Sequence, residues 1–233
     1  MADCPKPKAR EARESALRER FPARLWISLG IMLLAQLIAY CATRPLVARM
    51  PLRDLATPLD ARIPFAPAWV TVYFLAYVSW VVSALWVLPE SPARGYRIAC
   101  AYALAMFLAA VAFLALPGTI RRPEPAGEDF FSRWVRLLYR LDAPTNLCPS
   151  LHVVSSYFCW RGAMGCRRVP RWYAWFNLVF LILVCLSVLF VKQHALVDIP
   201  AALIVAEVSL QAARLLRLER VPLSLARRFG KKN

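Results

Sequence analysis

Four stretches of this chain run for 18 residues or more without a charged side chain: Leu25–Ala42, Ile63–Pro89, Ile98–Ile120 and Trp172–Val191. A helix of about 20 apolar residues crosses the hydrocarbon core of a bilayer. Inside lipid the backbone must satisfy its own hydrogen bonds, so such runs fold as helices. In a chain of 233 residues they leave room for one compact unit and no second domain. Composition agrees, with 60% hydrophobic and 19% charged residues, where a soluble domain averages about half and about a quarter. A polar and charged tail of 24 residues, with no apolar stretch, precedes the first run, too long a preface for a signal peptide, so that run reads as an uncleaved anchor.

Two further segments are apolar but marked. One lies between Pro149 and about Met164 and contains His152 and Arg161; the other starts near His194, carries Asp198 and Glu207, and fades at Arg214. An ionisable group inside a span costs several kcal/mol on most scales and usually faces the bundle interior or a wet cavity. Two marked spans in one small protein therefore suggest a polar site shared between them. The fold expected is an all-α bundle of six transmembrane helices over residues 25–213, between basic tails 1–24 and 214–233.

The net charge is +16, with 30 Lys and Arg against 14 Asp and Glu. Such a balance raises nucleic acid as a partner. Position argues against it, because the basic residues sit in tails and short gaps between apolar runs, with no zinc-ligand spacing or RNA-binding aromatic motif. The tail, the 89–97 and 161–171 gaps and the region from Arg214 hold 20 of the cations, and the opposite side holds 10. Cytoplasmic loops carry the excess, so both termini are expected in the cytoplasm. Arg167, Arg168 and Arg171 read as part of that signal. The segments bearing His152, His194 and Arg122 then share the extracytoplasmic face.

Residues 128–140 follow a different pattern. At about 100° per residue, Phe130, Trp134, Leu137 and Leu138 share one face while Arg133, Arg136 and Arg140 share another. That pattern fits an interfacial helix between the third and fourth spans, serving either as a connector or to recruit headgroups. The seven cysteines (Cys4, Cys41, Cys100, Cys148, Cys159, Cys166 and Cys185) are odd in number and mostly inside apolar runs. Small buried hydrophobes describe them better than a disulfide framework or metal site. No Gly-rich phosphate loop is present.

The chemistry resides in the chain's two histidines. One sits in Cys148-Pro149-Ser150-Leu151-His152, at the start of the fourth span. The other sits in Lys192-Gln193-His194-Ala195-Leu196-Val197-Asp198, at the start of the sixth. The spacing of His194 and Asp198 puts both on one helical face, within touching distance. A carboxylate there holds the Nδ1 proton and aims the other ring nitrogen outward, which makes an oriented nucleophile or base. A second histidine from another span can protonate a departing alkoxide. Cations and backbone N–H groups would bind the phosphate oxygens; Arg121, Arg122 and Lys192 are the candidate cations. Ser150 and the start of the fourth helix are candidate donors, because helix N-termini attract phosphate. Taken singly, His152 could be an ordinary interfacial side chain, and Asp198 a packing or ion-pathway carboxylate. Glu207 lies about half a turn round from Asp198 and reads as packing near the cytoplasmic side.

The two histidine segments resemble the second and third signatures of the type 2 phosphatidic acid phosphatase superfamily. Its usual forms are P-S-G-H, and S-R followed five residues later by H-x-x-x-D. The P-S-L-H and K-Q-H-x-x-x-D found here are similar to a branch that includes inositol phosphorylceramide synthase relatives. The resemblance covers about residues 97–213. It implies six helices, a site facing away from the cytoplasm, and no metal or other cofactor. It also implies that His194 attacks phosphorus, Asp198 orients it, and His152 is the general acid. The first signature survives as Arg122-Pro123, with Ala115 at its lysine position. The third signature's arginine is replaced by Val188, although Ser187 matches the preceding serine, and Lys192 stands as the alternative phosphate contact. The expected activity is metal-independent hydrolysis of a lipid phosphate or diphosphate. The alternatives are transfer of the phospho-headgroup to a hydroxyl acceptor, and a non-catalytic transporter with a His/Asp proton relay.

Overall fold

The computed structural model describes residues 22–230, with side chains to residue 226. The basic tail expected over 1–24 thus lies almost wholly outside the described residues, as does Cys4. Helix α1 (Ala23–Leu37) runs through a π-helical turn at Ile38–Ala42 into the short α2 (Arg44–Val47). Then follow α3 (Val70–Val87), α4 (Pro92–Ala115), α5 (Phe130–Leu141), α6 (Leu151–Ala163), α7 (Arg171–Phe190), α8 (Asp198–Leu215) and α9 (Arg220–Gly230). Two residue pairs, Arg53–Asp54 and Gly118–Thr119, form a short parallel ladder that ties the loop after α2 to the end of α4.

Local sequence sets several boundaries. Ser91 precedes Pro92, and its hydroxyl accepts the Arg94 N–H, capping α4. Asp129 caps α5 by accepting from the N–H groups of Phe131 and Ser132. After α7, Lys192 turns the chain through a left-handed conformation at φ 51°.

Among the described residues, four helices are long and apolar enough to cross a membrane, five if α8 and α9 form one span bent by 55°. The four unbroken spans are Ala23–Val47, Pro67–Glu90, Pro92–Ala115 and Arg171–Phe190. Their outward residues are large and apolar, including Leu33, Val78, Phe107, Trp175 and Val179, all more than half exposed. Soluble monomers rarely expose apolar surface on this scale. The protein is a mostly helical membrane protein.

On these criteria α6, the expected fourth span, is not among them. With 13 residues it rises roughly 20 Å, short of the hydrocarbon thickness. Yet α6 is the centre of the bundle. It packs against α7, α3, α8 and α4, and ten of its residues are buried. A helix sheltered by protein on all sides need not be apolar enough for lipid, so it can carry His152, Ser155 and Ser156. Its Arg161 meets Glu207 of α8 in a two-pronged ion pair with both N–O distances 3.1 Å. Tyr157 and Gln211 complete the Glu207 shell, each 2.6 Å away. Glu207 therefore packs away from the histidines, as its rotation about the helix predicted.

Helix α5 covers most of the segment read as amphipathic. Ser132, Val135 and Leu138 face inward while Phe130, Trp134 and Leu137 are exposed. Arg136 is tied to the preceding loop, donating to the carbonyls of Pro125 and Gly127 and to Glu128. Arg133 and Arg140 remain exposed. Cysteines 41, 100, 148, 159, 166 and 185 are free thiols, with Cys159 and Cys166 buried.

Candidate functional site

Both histidines stand at starts of bundle helices. His152 is the second residue of α6, just after the loop that holds a cis peptide between Cys148 and Pro149. Three aromatic rings of α3 enclose it: Tyr73 at 4.1 Å, Trp80 at 5.2 Å and Tyr77 at 5.3 Å between centroids. Its Nε2 lies 3.1 Å from the Tyr77 hydroxyl. Aromatic walls on one side leave the ring a single rotational setting.

His194 lies in the turn between α7 and α8. Its backbone N–H and that of Gln193 both donate to the Val188 carbonyl, at 3.2 and 2.9 Å. His194 Nδ1 is 3.0 Å from Asp198 Oδ2, and the same oxygen accepts the Ala195 N–H at 2.9 Å. The helical reading of this pair is corrected here, since α8 begins only at Asp198 and residues 192–197 form a turn. The contact survives because the carboxylate at the first position of α8 folds back over the preceding turn and accepts the Ala195 N–H there. Asp198 is fully buried. With Nδ1 engaged behind, Nε2 is the nitrogen left for the cavity. The two imidazole centroids are 6.4 Å apart.

A cavity of about 520 Å³ opens between them. Its walls include His152, His194, Arg122, Gln193, Asp142 and Asn146, with Tyr40, Phe74, Tyr77, Trp80, Leu138 and Leu141 supplying apolar surface. Arg122 comes from the loop between α4 and α5. It donates to the Asp142 carbonyl at 2.5 Å and to Gln193 Oε1, and its guanidinium sits 4.8 Å over the Tyr139 ring. Burial lowers its pKa, with the Asp142 carboxylate the largest opposing influence. A guanidinium has five N–H donors, and its Nε finds no partner in the protein.

The other expected phosphate contacts are not brought together with it. Lys192 turns outward, its Nζ donating to the carbonyls of Asp60 at 2.9 Å and Ile63 at 2.6 Å. Those two carbonyls hold the side chain off the cavity, although Gln193 and His194 next along the chain line it. Burial lowers the Lys192 pKa, while Asp60 opposes. Arg121 is exposed and does not line the cavity. Ser150 is fully buried, its hydroxyl unpartnered, and its N–H donates to the Asp198 carbonyl at 3.3 Å. It joins the start of α6 to the start of α8 and is not a cavity wall.

Several site residues carried no sequence signal. Asp142 ends α5; its carboxylate accepts from the hydroxyls of Tyr40 and Tyr73. Asp60 accepts from Thr57 N–H and Oγ1–H, at 2.8 and 2.7 Å, and from Leu196 N–H at 2.7 Å. It thereby fastens the 57–63 loop to the turn holding His194. Burial raises its pKa, but the Thr57 and Leu196 hydrogen bonds and the Lys192 charge outweigh that, leaving it below the usual carboxylate value. Gln193 was part of the motif, and its neighbourhood to His194 was the one available hint. Tyr77 hides inside an uncharged run. Cys148 is no rival nucleophile: burial first, and the Asp198 carboxylate second, push its thiol up to about 12.

The arrangement presents one oriented imidazole, a second imidazole across a gap, and a guanidinium with spare donors beside them. Among the described residues, no group of three His, Cys, Asp or Glu side chains is placed to hold a metal ion. Compared with the models of known protein families, with curated proteins and with solved structures, the chain matches none.

Proposed function

We propose that this protein is an integral membrane enzyme that hydrolyses a lipid phosphate or diphosphate through a phosphohistidine on His194. The observation that carries this reading is that His152 and His194, 42 residues apart in sequence, face one cavity 6.4 Å apart with Arg122 in its wall. The resemblance of both histidine segments to phosphatase signatures supports it.

In the first step His194 Nε2 bonds to phosphorus and the P–O bond to the lipid alcohol breaks. His152 gives that oxygen its proton. Asp198 stabilises the positive charge that develops on His194, and Arg122 binds the non-bridging oxygens. In the second step His152 takes a proton from water, the water oxygen bonds to phosphorus, and His194 leaves. General acid–base assistance of this kind contributes roughly a hundred- to ten-thousand-fold.

The proposed topology has six spans, with α6 and α8 as the fourth and sixth, both termini in the cytoplasm and the cavity on the extracytoplasmic side. The distribution of Lys and Arg supports that orientation. The exposed Phe130, Trp134 and Leu137 of α5 would lie against the lipid surface beside the cavity.

The test is product release by the detergent-purified full chain, with EDTA present, from phosphatidic acid and from a polyprenyl diphosphate. Release that survives EDTA and disappears in His194→Ala is the expected result. Unchanged release in that variant, or no cleavage of any class of lipid phosphate ester by folded protein, would overturn the proposal.

A further inference from the structure

The end of the bundle away from the histidines gathers a second cluster of charge. His152 is the second residue of α6, and Arg161 lies in the last turn of that helix, about 13 Å further on at the helical rise. Asp198 opens α8, and Arg214 sits in its last turn. Arg161 and Arg214 meet Arg94 and Arg97, from the first two turns of α4, around a cavity of about 340 Å³. Gln211 is a further polar wall, and among the described residues no acid lines the cavity.

Three of these arginines are held by glutamates that stand outside the lining. Arg94 Nε is 2.8 Å from Glu90, Arg97 Nη2 is 2.6 Å from Glu219, and Arg161 Nε is 3.1 Å from Glu207. Arg94 Nη2 also donates to the Gly162 and Met164 carbonyls, at 2.8 and 2.7 Å. These contacts fix the guanidiniums without exhausting them, since each has five N–H donors. Among the described residues, Nη1 of Arg94 and of Arg97 makes no hydrogen bond. Arg161 Nη1 reaches only the Met164 thioether at 3.7 Å, a weak acceptor. Arg214 is exposed, and among the described residues it forms no ion pair.

Four guanidiniums around one cavity repel each other, and the three glutamates leave the group with positive charge in excess. A phosphate group answers that arrangement. It carries negative charge and several acceptor oxygens, and the planar fork of arginine matches it two donors at a time. Basic pockets between membrane helices hold lipid phosphate headgroups by the same means. We infer that the cavity at the ends of α4, α6 and α8 binds a phosphate group, presented by an anionic lipid headgroup or as free phosphate, and that the bound anion ties the three helices together. The site is separate from the His194 chemistry and stands or falls without it.

The experiment uses the detergent-purified full chain and two probes. Native mass spectrometry measures retention of phosphatidylglycerol against phosphatidylcholine of identical acyl chains. Melts compare inorganic phosphate with chloride at equal ionic strength, since a ligand of the folded state raises the melting temperature. The wild type should retain the anionic lipid preferentially, melt higher in phosphate, or both. Arg214→Gln should weaken that binding by about ten- to a hundredfold, as loss of a charge-assisted hydrogen bond does. Because Arg214 has no ion pair to lose, the melt without added anion should not change. Arg214→Lys keeps the charge and should bind within about tenfold of wild type. Arg133→Gln removes an exposed arginine of α5 and should leave binding as it is, which separates a site from attraction to the net charge of +16. An Arg214-dependent response to the lipid identifies a headgroup as the source, and one to inorganic phosphate alone identifies the free ion. A wild type indifferent to both probes, binding unmoved by Arg214→Gln, or an equal loss in Arg133→Gln would overturn the inference.

Discussion

Asp198→Asn separates an orienting role from a structural one. The substitution preserves shape but removes the charge from a fully buried position. Oδ2 accepts from both His194 Nδ1 and Ala195 N–H. An asparagine oxygen in that place keeps both hydrogen bonds as neutral ones, so the resting protein loses about 1 kcal/mol, the difference between charged and neutral acceptors. A chain of this size should then melt only a few degrees lower. The reaction loses more. As His194 bonds to phosphorus its ring becomes cationic, and a carboxylate about 4 Å away stabilises that charge by about 4 kcal/mol at an effective dielectric near 20. The resting-state loss does not raise the barrier, so the charge effect alone sets a rate loss of roughly a thousandfold. That lies within about tenfold of the roughly ten-thousandfold loss when the aspartate of a Ser-His-Asp triad becomes asparagine.

The assay is the initial rate of lipid-alcohol release with EDTA present, beside a circular-dichroism melt of the same preparation. A rate within tenfold of wild type would refute the reasoning. So would the reverse pattern, a large fall in melting temperature with nearly normal turnover, which would make Asp198 a brace for the 194–198 turn.

Three further outcomes are expected. Asp60→Asn weakens the acceptor holding Leu196 N–H and should lower kcat about tenfold, since loss of a hydrogen bond to a charged group costs ~1.5–3 kcal/mol and misplaces the His194 turn. Asp60 has a folded pKa below the usual 3.8, so its stabilisation is fully present above that value and lost as pH falls through the lower folded pKa. Melts between pH 5 and pH 2 should accordingly lose an acid-limb component in the variant. Arg122→Lys cannot reach Gln193 and the Asp142 carbonyl together, and should raise KM for the lipid phosphate at least tenfold in steady-state kinetics. Tyr77→Phe removes the hydroxyl at His152 Nε2 and should cut kcat about tenfold with little change in melting temperature, as measured by the same rate and melt pair.

What the sequence made legible was whatever its chemistry made rare. Two histidines in 233 residues are easy to single out, and the structure brings them to one cavity. Long uncharged runs are equally plain, and four became spans. Contacts made by common residue types were not legible. Nothing marks Asp142 or Asp60 as different from any loop acid until the fold sets one between Tyr40 and Tyr73 and the other beside Leu196. The candidate cations Arg121, Arg122 and Lys192 look equivalent in sequence, and only the fold shows which of them lines the cavity. Arg122 points inward because Gln193 and the Asp142 carbonyl receive it, whereas the left-handed Lys192 sends its side chain to the 60–63 loop. On α5 the apolar periodicity was legible, but which residues pack inward was not: Ser132, Val135 and Leu138 are buried while Phe130, Trp134 and Leu137 are exposed.

The weakness of α6 and α8 as hydropathy signals and the placement of the histidines have one physical origin. α6 is sheltered by its neighbours, and α8 turns Asp198 and Glu207 toward the bundle while Ile204 and Val208 face outward, so each can hold polar groups that a lipid-facing surface could not. The pair is pinned at both ends: the Ser150 N–H on the Asp198 carbonyl at one end, the Arg161–Glu207 ion pair at the other. Two fixed points on two stiff helices leave little freedom to slide or splay, so the separation of His152 and His194 is set by backbone geometry. In the proposed mechanism a nucleophile and an acid act on opposite sides of one phosphorus atom and need such a frame, because a misplacement of about 1 Å can cost a hundredfold in rate. Residues that look like defects in a transmembrane pattern are here the ones that hold the frame together.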